Sequence, residues 1–238
     1  MRGRILQTLI ALAAFCALIA LGVWQMERRA WKNGLIARFE AALSAPPAIY
    51  NPAKPASTEA REFMLVRLAG EFLDTRTVKV LIPTPETARM RTQEGFGYLI
   101  FTPLKSRNGV VFVNRGFIPQ SLAGSPPPVP EGETEVTGIV RLPAPPGWAT
   151  PQPEPAKRLF FAADIPAMAA AAGLKSRETN VSEYIEAVPV AGAAGWPLAR
   201  DPRTLLASIP NRHLEYAFTW FALAAAFAGV FGVAASRA

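Results

Sequence analysis

The sequence predicts a membrane protein in which two transmembrane helices flank a mainly antiparallel, barrel-like β domain of α+β class outside the membrane. Three observations carry this. Residues 5–26 and 216–235 are two long apolar runs without a charge. The stretch between them breaks into short β-like pieces separated by Gly- and Pro-rich turns. Charge is also unevenly spread. The whole chain of 238 residues is 50% hydrophobic and only 18% charged, against about 25% for an ordinary soluble domain. All 18 acidic and 22 of the 25 basic residues nevertheless lie in residues 27–215, so that 40 of these 189 residues, about 21%, are charged. An ordinary domain is diluted by two lipid-soluble segments.

The first segment, residues 1–26, holds the N-terminal span and a short tail. A helix rises ~1.5 Å per residue, so ~20 apolar residues cross a ~30 Å hydrocarbon core, and ILQTLIALAAFCALIALGVWQM is long enough. Arg2 and Arg4 give it the basic start of a secretory signal. Cleavable apolar regions run only ~7–15 residues, and this one leaves through Gly22-Val23-Trp24-Gln25 rather than a small-x-small site. It reads as an uncleaved anchor.

Residues 27–60 form a juxtamembrane helix and loop. Ala30, Leu35, Ile36, Phe39 and Leu43 recur at helical spacing, which continues the helix to about residue 43. Gly34 weakens an unbroken helix there. Residues 44–60, rich in Pro, Ala and Ser, read as loop.

Residues 61–210 are the β-rich domain. Strands are expected over 63–72, with Gly70 a bend or bulge, and over 77–82, stopped by Pro83. Others are expected over 98–104, over 110–113 after a tight turn at Asn108-Gly109, and over 133–142, 159–162 and 180–190. Ten prolines in residues 126–155 exclude regular helix or central strand there, apart from the one strand they flank. Asp164, Pro166 and Gly173 mark the cap, first turn and end of a short helix. Residues 211–238 hold the second span, YAFTWFALAAAFAGVFGVAA.

Composition removes several function classes. A single cysteine, Cys16, excludes a disulfide framework and a cysteine-based zinc site. A single histidine, His213, excludes histidine-cluster metal sites and a bis-histidine haem within one chain. No nucleophile elbow, phosphate loop or dinucleotide fingerprint occurs. These features point away from the usual hydrolytic and redox enzymes. The net charge of +7 does not call for nucleic acid. Basic residues near the spans alternate with Trp24, Trp31 and Tyr216, which suits the headgroups of a lipid bilayer and an aromatic belt. Counted literally, the positive-inside rule puts the large domain in the cytoplasm, because Arg28, Arg29, Lys32, Arg38, Arg200, Arg203 and Arg212 lie on its side. The rule weakens for long translocated loops, so charge leaves the orientation open.

Two stretches carry candidate chemistry. In PNRHLEYAFTWF, residues 210–221, Asn211 is placed to cap the incoming helix. His213, Tyr216, Ala217 and Trp220 follow at spacings that share one helix face. A histidine one turn outside the hydrocarbon above two aromatic rings suits an axial haem ligand, and it equally suits an interfacial aromatic belt. In Val113-Asn114-Arg115-Gly116-Phe117-Ile118-Pro119, Arg115 is suited to a carboxylate of a haem propionate or a partner. In the plainer reading Asn-Arg-Gly closes a strand, Gly116 supplies a special backbone angle and Arg115 is structural.

At these residues the chain resembles the Surfeit locus protein 1 family, assembly factors of haem–copper cytochrome c oxidase. The matching pieces are Gly22-Val-Trp-Gln-Met-Glu-Arg to Trp31-Lys32, Gly70-Glu71-Phe72, Val113 to Pro119, and Asn211 to Phe221. Their order and the two-span architecture match as well. The resemblance implies a bacterial inner-membrane protein with both termini cytoplasmic and its central domain in the periplasm. Its partners would be the catalytic subunit of the oxidase and the haem a synthesis machinery. It implies a part in placing haem a, with His213 as haem iron ligand. Tyr216, Trp220, Trp24 and Gln25 would then form the surrounding wall, and Asn114, Arg115, Gly116 and Asn211 would have structural or partner-facing roles. The chain departs from the family at Arg212, where a second asparagine is frequent, and at Arg158-Leu159-Phe160-Phe161, in place of a Trp-containing stretch. Residues 120–200 match least, and no site is carried over there. A membrane-anchored scaffold that stabilises an oxidase intermediate without touching haem is the other function consistent with these motifs. Ala225, Gly229 and Gly232 then offer close helix contact.

Overall fold

The computed structural model describes residues 2–54, 61–143, 145–189, 195–207 and 211–236. In chain order its elements are α1 (Arg2–Ser44), β1 (Ala48–Ile49), β2 (Leu65–Phe72), β3 (Val78–Pro83), α2 (Glu86–Arg89), β4 (Phe96–Ser106), β5 (Gly109–Pro119), β6 (Glu133–Arg141), β7 (Leu159–Phe160), α3 (Ile165–Ala171), β8 (Thr179–Ala187), α4 (Pro202–Ala207) and α5 (His213–Ser236). They fall into two compact units, residues 1–40 with 208–238, and residues 41–207. Within the expected elements, residues 55–60 of the loop, Val190 of the last strand, Pro210 before the second span, Arg237 and the side chains of Arg2 and Arg4 lie outside the described residues.

The first unit is the helix pair. α1 runs through Gly34 without a break: one glycine costs ~1 kcal/mol in a helix interior, which a helix of this length absorbs. Both helices are long and apolar enough to cross a membrane. Their apolar side chains are mostly outward: Ile5, Leu6, Leu9, Ile10, Phe218, Val230 and Val233 are all exposed. Such a surface would be a large aggregation liability in water and is the ordinary exterior of a helix in lipid. The protein has two membrane-spanning helices.

The second unit is built on one eight-stranded sheet in the order β1-β2-β6-β8-β5-β4-β3-β7, and β2 also pairs with β4. That extra pairing closes a five-stranded barrel, β2-β6-β8-β5-β4, of Greek-key type. Its pairs are antiparallel except β5 with β8. Closure occurs at Glu71↔Lys105 and Phe72↔Leu104, and Gly70 allows it. A Cβ there would lie 2.5 Å from the Lys105 carbonyl oxygen. Gly70 pairs in register with Thr134, so it marks a close strand approach and not the expected bend or bulge.

Two cores share the long strands. Val66, Leu68, Leu104, Val111, Val113, Val140 and Ile185 cluster as the barrel filling, capped by Tyr50. Val78, Val80, Leu99, Phe101, Phe112, Phe117 and Phe160 form the other, packed with Ile165 and Met168 of α3. β4 and β5 are therefore buried on both faces, which explains continuous apolar runs such as Val110 to Val113.

Several expected boundaries move. β5 does not close at Asn114-Arg115-Gly116 but continues to Pro119. The β4–β5 turn is centred on Arg107-Asn108, with Ser106 paired to Gly109, one residue earlier than Asn108-Gly109. β2 starts at Leu65 because Phe63 adopts φ 72°, and β7 has only two residues. β1, α2 and α4 lie in segments without strong periodicity. α3 is as expected: the Asp164 carboxylate accepts from the Ala167 N–H, and Gly173, at φ 67°, follows its end.

Candidate functional site

The helix pair brings together the motif at the exit of the first span and the motif at the entry of the second. His213 opens α5, and its Nδ1 lies 2.8 Å from Oε1 of Gln25 on α1. Two turns further along α1, Asn33 Oδ1 accepts from Asn211 Nδ2 at 2.8 Å. Toward the apolar interior, Gly22 faces Phe221 so closely that a Cβ would lie 2.5 Å from the ring. These three contacts run in opposite chain directions on the two helices, as an antiparallel pair requires.

The remaining expected residues are placed differently. On α5, Ala217 and Ala224 share the His213 face and are only 1% exposed, so the middle of that face is closed. Trp220 is half-buried. Tyr216 is 54% and Trp24 53% exposed, so the two aromatic rings lie at the margin. Asn211 does not cap α5 as expected. Its carboxamide nitrogen donates to Asn33, and its oxygen is buried with no hydrogen-bond partner among the described residues. The first turn closes instead through the Tyr216 N–H on the Arg212 carbonyl. Among the basic and aromatic residues beyond the span, Arg28 stacks 4.2 Å over the Trp31 ring, an interfacial arrangement.

The second motif belongs to the barrel unit. Asn114 is buried; its Oδ1 accepts from the Gly116 N–H at 3.1 Å, and its Nδ2 has no partner among the described residues. The Arg115 guanidinium donates to the carbonyls of Pro127 (3.1 Å) and Pro128 (2.6 Å), and lies 5.9 Å from the Phe72 ring. It thereby ties the proline-rich segment to β5. Burial holds its pKa below the ordinary arginine value, partly opposed by the Asp74 charge. Beside it opens a cleft of about 270 Å³, lined by Phe72, Val113, Val136, Pro197 and Leu198.

Two buried polar clusters on β8 have no simple sequence signal. Glu186 accepts from Arg200 (2.6 Å) and Arg141 (3.4 Å). The Tyr50 hydroxyl donates to Glu183 Oε2 at 2.8 Å and accepts from Asn180 Nδ2 at 2.9 Å. Burial, then the Glu183 carboxylate, pushes the Tyr50 pKa far up. Neither these nor Asn33 stood out in the sequence, because their partners lie far away along the chain. Among the described residues no group of three or more His, Cys, Asp or Glu could hold a metal ion.

The chain is thus a two-span protein with a barrel domain, whose lone histidine is hydrogen-bonded between its spans. The SURF1 family model matches residues 12–225. The chain is 30% identical to Surfeit locus protein 1 of Rattus norvegicus, covering 87% of this chain and 68% of that protein. It is 29% identical to the Homo sapiens protein of the same name, over 92% and 72%, and 31% identical to a SURF1-like protein of Drosophila melanogaster, over 87% and 70%. The chain belongs to the SURF1 family.

Proposed function

We propose that this protein is an assembly factor for haem–copper cytochrome c oxidase, which holds haem a beside the membrane until the catalytic subunit takes it. The observation that carries this reading is the state of His213. Its Nδ1 faces Gln25 at 2.8 Å, and its Nε2 makes no hydrogen bond among the described residues. Nε2 is therefore the nitrogen available to iron. His213 lies where an uncharged span begins, so a largely apolar cargo meets a ligand at the lipid boundary. The exposed rings of Tyr216 and Trp24 are suited to cover its flanks. The buried Ala217 and Ala224 keep cargo out of the helix seam. Haem a is cargo here, and the chain contributes binding, orientation and shielding from water. We read the protein as a bacterial inner-membrane protein with a periplasmic domain and cytoplasmic termini, which receives haem a from its synthesis machinery.

The test is the visible spectrum of protein purified from cells that make haem a. Wild type should carry a haem band, and His213→Ala should lose most of it. An equal band in the variant removes His213 as ligand.

One observation favours a second reading, a scaffold that stabilises an oxidase intermediate without haem. Nothing lies within 4 Å of the Cβ positions of Gly229 and Gly232, which leaves room for a partner helix to approach. Undiminished association with a catalytic subunit lacking haem would support the scaffold.

A further inference from the structure

We propose that Gln25 is a positioning residue for His213: its side-chain carbonyl holds the imidazole as the Nδ1–H tautomer and so presents Nε2 with its lone pair outward. This rests on the reading of His213 as a haem ligand. A neutral imidazole has one N–H and one lone pair. Oε1 of Gln25 offers only lone pairs, and it lies 2.8 Å from Nδ1. At that distance the proton belongs on Nδ1; otherwise two lone pairs face each other. With the proton there, Nε2 can only accept or ligate. Partners that orient a histidine through its other nitrogen are a general feature of metal sites.

The surrounding contacts make Gln25 a fixed partner. Gly22, three residues before it, lets the Phe221 ring against α1, which sets the helix separation within reach of a glutamine side chain. Asn33 and Asn211 hold the start of α5 from the other side. His213 is thus bounded by two interhelical contacts, and Gln25 sets the orientation of its ring. Trp24, the next residue on α1, is exposed and takes no part in this.

His213 is the only histidine of the chain, so a histidine-free affinity tag leaves one imidazole in the sample. The full-length protein, labelled with ¹⁵N-histidine, is placed in lipid nanodiscs without haem. Long-range ¹H–¹⁵N correlation in mildly alkaline buffer then reads the tautomer directly. Wild type should show Nδ1–H. Gln25→Leu should move the population toward Nε2–H, and Gln25→Glu, which keeps an acceptor opposite Nδ1, should retain Nδ1–H. A wild type with Nε2–H overturns the proposal, as does an unchanged tautomer in Gln25→Leu. Haem a titrated into the same samples should bind Gln25→Leu about tenfold or more weakly, with Gln25→Glu near wild type. Loss of haem in His213→Ala with full affinity and tautomer in Gln25→Leu defeats the positioning role alone. Retained haem in His213→Ala defeats the ligand reading, whatever the tautomer.

Discussion

At Gly116 the backbone adopts φ 119°, and a Cβ would lie 2.4 Å from the Leu198 carbonyl group. Phe117 exchanges two backbone hydrogen bonds with Leu198, at 2.9 and 2.8 Å, so neither segment is free to retreat. Gly116→Ala combines a strained backbone angle with a backbone collision. It should destabilise the domain by about 3 kcal/mol, read as a lower urea midpoint with unchanged slope. An unshifted midpoint contradicts the account. The special angle was legible from the Asn-Arg-Gly motif. Leu198 was not, since it lies in a segment without periodicity more than eighty positions away. Arg115 is legible in part: the plainer reading made it structural, and the fold has it hold the carbonyls of Pro127 and Pro128, partners no local pattern names.

At the scale of elements, the antiparallel contact of α1 and α5 depends on Gly22. A larger side chain there must displace the Phe221 ring or part the helices. Gly22→Leu should therefore lower disulfide cross-linking between cysteines placed at positions 25 and 213, in a Cys16→Ser background, at least severalfold. Phe221→Ala added to Gly22→Leu should recover most of it. Cross-linking that ignores Gly22→Leu would mean the ring is not what limits the approach. Both spans were legible from length and lack of charge, as was α3 from its cap. β5 was legible only in part. A strand buried on both faces loses the alternation that marks its ends, and Gly116 within it looks like a stop.

At the scale of the molecule, the barrel domain carries tyrosines whose neutral form is favoured by folding. Burial is the main cause that pushes Tyr184 up to about 12 from 10.0, and Tyr50 moves in the same direction. A phenol that keeps its proton longer when folded binds more protons in the native state, so stability falls as pH rises. The contribution of Tyr184 is complete below pH 10 and is lost between about pH 10 and 12, a change of about 3 kcal/mol. Alkaline denaturation should steepen in that window, and Tyr184→Phe should make it shallower. An identical profile in Tyr184→Phe would place the effect elsewhere.

Two membrane spans, a normally charged β-rich domain between them, and one histidine in the most specific motif are readable from the order of residues alone. Those are properties of composition and short-range order, which local physics reads directly. That β2 meets β4 to close the barrel, that Asn211 turns to Asn33 and not to its own helix, and that Gln25 Oε1 meets His213 Nδ1 emerge from the packed fold alone. Each joins residues far apart in the chain. Such pairings are set by how buried surfaces fit once the elements have formed, and no local pattern records them.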